Sequence, residues 1–182
     1  MQKVRPWIFR LLILMAAALM LVSAYLPWWS ADVQLVVTPA SGLENFKVML
    51  YQHGIPTTAG AEYFQTDVTP ASQVKLAWAY IGLSMSLLFT GSFLKGKKGK
   101  WLIGGVSLVY VAYALAAFAL ITQRTEVYKV AVAGRTVLEA QNGEIVVTGF
   151  QPGYWLAYAS GLVGIGLAFF RDKIAGKNKS ET

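Results

Sequence analysis

The sequence predicts a mainly α integral membrane protein: a four-transmembrane-helix bundle with a small antiparallel β cap formed by the two extracytoplasmic loops. Three observations predict it. Of 182 residues, 55% are apolar and only 14% charged, against about 25% charged in an ordinary soluble domain. The apolar residues gather in four long runs, and the basic residues gather between alternate runs. With a mean hydropathy of +0.48, this argues against a soluble enzyme, a disordered chain or a nucleic-acid-binding domain.

The four runs are residues 7–29, 76–94, 101–122 and 154–170. At ~1.5 Å per residue they reach roughly 25 to 35 Å, enough to cross a hydrocarbon core of about 30 Å. Helices are expected because lipid offers no partner to free backbone N–H and C=O groups. The first run follows Lys3 and Arg5 and contains Val22-Ser23-Ala24, a sequence like a signal-peptidase site. Its apolar stretch exceeds a typical signal core, so it is read as a retained anchor.

Lysine and arginine set the expected orientation. One side takes Lys3, Arg5, Arg10, the inner loop 95–100 and the tail 171–182, eleven basic residues against Asp172 and Glu181. The other takes Lys47, Lys75, Arg124, Lys129 and Arg135 against seven acids. Both termini are therefore expected in the cytoplasm, with the chain a multi-pass protein of the cell membrane. The basic side would face the anionic inner leaflet; nucleic acid is not an expected partner. Trp7 and Trp101 fall at the inner interface, and Trp28, Trp29, Trp78, Tyr80, Tyr154 and Trp155 at the outer one. Amphipathic rings collect at such interfaces.

The outer loops, 30–75 and 123–153, hold most of the mass outside the runs. Strand patterns occur at Asp32–Thr38, Glu126–Val132, Arg135–Glu139 and Glu144–Thr148, with a hairpin turn at Asn142-Gly143, since both turn positions tolerate positive φ. Leu43–Gln52 reads equally as a short helix or a strand. A lone hairpin is marginal in water, so strands of both loops are expected in one sheet. Asn178-Lys179-Ser180 fits the glycosylation pattern but falls on the inner side.

Chemistry-bearing patterns are sparse. There is no cysteine, which removes disulfides, thiol nucleophiles and Cys-ligated metals. The runs contain no Asp, Glu, Lys or His, the groups that pumps and ion-coupled transporters use. Arg10 lies near enough to the inner face to snorkel. His53 is the single histidine; as a metal ligand it would need a partner chain or Glu44, Glu62 or Asp67. No phosphate loop, nucleophile elbow or zinc-protease pair occurs. An enzyme, a resident cofactor and a soluble substrate are not expected.

Small residues recur at helical spacing. Gly82, Ser86 and Thr90 form a row, as do Ala157 with Gly161, Ser160 with Gly164 and Ala168, and Ala112 with Ala116. Such rows let helix backbones approach closely, within this chain or against a partner's helix. Tyr110 and Tyr113 bring hydroxyls to be bonded by a neighbouring helix.

The layout resembles the claudin-like four-span architecture, with a long first outer loop opening on a strand. Leu26-Pro27-Trp28-Trp29 and Pro152-Gly153-Tyr154-Trp155-Leu156-Ala157 look like segments of small prokaryotic four-span proteins of the tryptophan-rich, tryptophan-associated type. The claudin first-loop signature with its paired cysteines is absent, so the resemblance implies layout and transfers no functional residue. The expected function is that of a non-catalytic accessory or assembly subunit, bound to other membrane subunits through Gly82, Ser86, Ala157, Gly161 and Gly164 and through the outer strands. The alternatives are an adhesion or envelope-organising protein, and a lipid-, quinone- or cofactor-holding subunit at the outer rings Trp28, Trp29, Trp78, Tyr154 and Trp155.

Overall fold

The computed structural model describes residues 5–34, 45–56, 68–138 and 144–175. In chain order these form α1 (Arg5–Tyr25), β1 (Trp29–Gln34), β2 (Phe46–Leu50), α2 (Ala71–Phe93), α3 (Gly96–Val127), β3 (Gly134–Leu138), β4 (Glu144–Phe150) and α4 (Pro152–Ala175). All four helices are long and apolar enough to cross a membrane. The strands make one antiparallel sheet in the order β2-β1-β4-β3, so both loops between helices contribute to it.

The helix ends differ from the apolar runs for local reasons. α1 stops at Tyr25, because Pro27 disfavours helical backbone at Leu26 and has no N–H to donate. Trp28 and Trp29 thus leave the helix, and Trp29 opens β1. α3 starts at Gly96, so most of the basic segment 95–100 is its first turn. α4 starts at Pro152, where a ring-locked φ suits a first helical position. It ends at Ala175, inside the segment read as tail.

One strand expectation is also corrected. Glu126–Val132 does not form a strand: α3 runs on through Val127 and ends in a Schellman turn. Val130 N–H donates to the Thr125 carbonyl at 2.9 Å and Lys129 N–H to Glu126 at 3.0 Å. Lys129 takes the left-handed conformation, φ 55°. The ambiguous stretch at Leu43–Gln52 resolves as β2 over Phe46–Leu50. The Asn142-Gly143 turn lies outside the described residues. β3 and β4 pair as an antiparallel hairpin as expected, but Leu138 stands opposite Glu144. That is not the register of a two-residue turn at Asn142-Gly143, which would set Gln141 opposite Glu144.

The chain divides into two compact units. The helix unit comprises residues 1–22, 78–114 and 156–182. Its interior holds Phe9, Ile13, Met20, Ile81, Leu88, Ile103 and Tyr110. The sheet unit comprises residues 23–77 and 115–155. Period-two alternation sends Trp29, Ala31 and Val33 of β1 inward to meet Val48, Ile121, Val130 and Val146. Side chains satisfy the loop between α3 and β3. Trp29 Nε1 donates to the Val132 carbonyl at 2.9 Å. The Thr148 hydroxyl donates to Ala131 at 2.6 Å, and Ala131 N–H donates to the Thr136 hydroxyl at 2.9 Å.

Candidate functional site

Within the helix unit, α3 and α4 meet along a seam of small residues. Gly161 packs on α3: a Cβ there would stand 2.5 Å from Val111 Cγ2 and 3.3 Å from the Ser107 carbonyl. One at Gly164 would fall on the Ser107 hydroxyl. Ala157 is fully buried, and Ser160 is satisfied within its helix, donating to the Ala157 carbonyl at 2.8 Å. The Ser107 hydroxyl is buried among the described residues with no hydrogen-bond partner.

Gly82 and Ser86 lie on a different surface. Both are exposed, the Ser86 hydroxyl donates to the Gly82 carbonyl at 2.8 Å, and nothing stands within 4 Å of a Cβ built at Gly82. The five small residues therefore separate into an internal seam, Ala157, Gly161 and Gly164, and an open face, Gly82 and Ser86. Large apolar side chains such as Leu83, Phe89, Leu108 and Leu115 also point outward.

The outer rings separate too. In the sheet unit Trp28, Trp29 and Tyr154 are buried. Trp28 Nε1 donates to the Ser23 carbonyl at 3.0 Å, and its ring meets Tyr154 edge-on at 5.8 Å. Trp155 is exposed and contacts Tyr154 at 5.3 Å. Trp78 belongs to the helix unit. His53 stacks on Tyr51 at 5.3 Å. Its possible co-ligands Glu44, Glu62 and Asp67 lie outside the described residues, and no three metal-ligating side chains come together among those described.

Arg171 was not anticipated. It is 7% exposed and donates from Nη2 to the Leu94 carbonyl and from Nη1 to the Gly96 carbonyl at 3.4 Å. Its guanidinium also lies 5.5 Å from the Phe9 ring. A cation from α4 thus covers carbonyls at the turn from α2 to α3. Gly99 makes room: a Cβ there would stand 2.6 Å from the carbonyls of Gly91 and Leu94. Gly153 has the same role in the sheet unit, with its N–H donating to the Pro27 carbonyl at 3.1 Å. The glycine in the lysine-rich turn was the available signal.

Helices of membrane-spanning length, an outward apolar surface and a sheet shared between two loops define the class of molecule. Neither a protein-family model nor a characterised protein matches the chain.

Proposed function

We propose that this chain is a four-span integral membrane protein, its termini cytoplasmic, that serves as a non-catalytic accessory or assembly subunit of a larger membrane complex. The open Gly82 and Ser86 face of α2 carries the proposal. Its hydroxyl is satisfied locally, and its small side chains leave room for another helix to approach. The sheet drawn from both loops supplies a second surface for docking. The charge distribution supports the orientation: Arg10, Lys95, Lys97, Lys98, Lys100, Arg171 and Lys173 belong to the helix unit, and Asp172 is its one acid among the described residues.

The test is mild-detergent extraction from the native membrane, a native gel, and mass spectrometry of the band containing this chain. A reproducible assembly with other subunits is expected, and Gly82→Leu should release the chain from it without loss of folded protein. Migration alone, under conditions that preserve other complexes, would sink the proposal. Orientation is read separately. The chain has no cysteine, so single cysteines at Lys98 and Lys129 report labelling from opposite sides.

A further inference from the structure

We propose that Lys100 and Lys173 form a site for the phosphate headgroup of an anionic phospholipid, an inference that rests on the membrane-spanning reading above. The two lysines come from α3 and α4, and each ammonium is seated over one of two consecutive rings. Lys100 Nζ is 5.5 Å from the Phe169 centroid, and Lys173 Nζ is 5.6 Å from Phe170. The rings meet edge-to-face at 5.2 Å and are 70% and 46% exposed. A ring face holds an ammonium electrostatically and, unlike a carboxylate, leaves its charge uncancelled for a further anion. Asp172 is the one acid among the described residues of this unit, and Lys97 and Lys98 add to the positive field.

Arg10 is placed differently. Its single guanidinium lies against two rings, Phe93 at 4.4 Å and Trp7 at 5.2 Å, with no second cation among the described residues paired to it there. At the α3–α4 end, exposed apolar rings stand beside available ammoniums. That is the pairing a phospholipid presents, acyl chain beside phosphate. Inorganic phosphate matches only the ammoniums.

The experiment titrates the purified full chain with phosphatidylglycerol, phosphatidylcholine or inorganic phosphate and counts bound lipid by native mass spectrometry. Phosphatidylglycerol should bind preferentially. Lys100→Gln/Lys173→Gln should weaken it about tenfold or more, Lys100→Arg/Lys173→Arg should keep it, and Lys97→Gln/Lys98→Gln should change it by less than about threefold. Equal losses in both glutamine doubles would overturn the site in favour of diffuse attraction. Competition by inorganic phosphate at equal concentration would overturn it in favour of a free-anion site, and equal binding of phosphatidylcholine would overturn it outright. Carbonate washing of membranes separates the two levels. A wild-type chain that washes off overturns the spanning reading and this site together. A resistant chain without phosphatidylglycerol preference overturns the site alone.

Discussion

Lys129 holds a left-handed conformation, φ 55°, at the position after a helix that favours glycine. The strain from its Cβ sets an expectation. Lys129→Gly should stabilise the sheet unit by about 1 kcal/mol, and Lys129→Val should destabilise it by at least about as much, both read by thermal unfolding in detergent. Arg171 sets another. Leucine there would leave the Leu94 and Gly96 carbonyls without their charged donor, a loss of about 3 kcal/mol. Lysine, a point donor without the guanidinium fork, should recover only part of it. Neither role could be read from the residue's own neighbourhood. Lys129 sits in a stretch whose alternation mimics a strand, and the carbonyls that Arg171 serves lie 77 and 75 positions away.

At the scale of elements, the two sets of small residues should respond oppositely to a methyl group. Gly164→Ala would drive a Cβ onto the Ser107 hydroxyl, and overpacking of this kind costs about 1–3 kcal/mol. Ser107→Gly should relieve most of that loss, so a double-mutant cycle should show strong coupling. Gly82→Ala meets nothing within 4 Å and should be neutral or stabilise α2 by up to about 1 kcal/mol, because alanine forms helix better than glycine. Equal destabilisation at the two sites would contradict the separation of seam from open face. The sequence showed both rows at the same spacing. Which row turns inward depends on where large residues such as Ile81, Leu88 and Ile103 find partners, and spacing does not contain that information.

For the whole molecule, the two units should fail separately. Val146 is fully buried in the core of the sheet unit, and a carboxylate there would stand unpaired among apolar side chains. Val146→Asp should open the sheet, exposing the loop between α3 and β3 to protease. The chain should nevertheless stay in carbonate-washed membranes, because the apolar helices are untouched. Release of the variant from the membrane would show that the sheet is needed to hold the helices there.

Features carried by contiguous residues were legible. The four helices follow from long apolar runs and the β3–β4 hairpin from two alternating stretches, whereas the break at Pro27, though local, was read through as part of the run 7–29. Each depends on backbone chemistry within a few positions. Of the features that need distant residues, a sheet drawn from both loops was expected, but its strand order was not. The order β2-β1-β4-β3 places β1 between strands of both loops, as burying Trp29, Ala31 and Val33 on one face requires. Trp28, Trp29 and Tyr154, expected among interfacial rings, are also buried. Apolar character marks a residue for burial without naming what will cover it; the folded chain supplies the cover, from helices and strands a hundred positions apart.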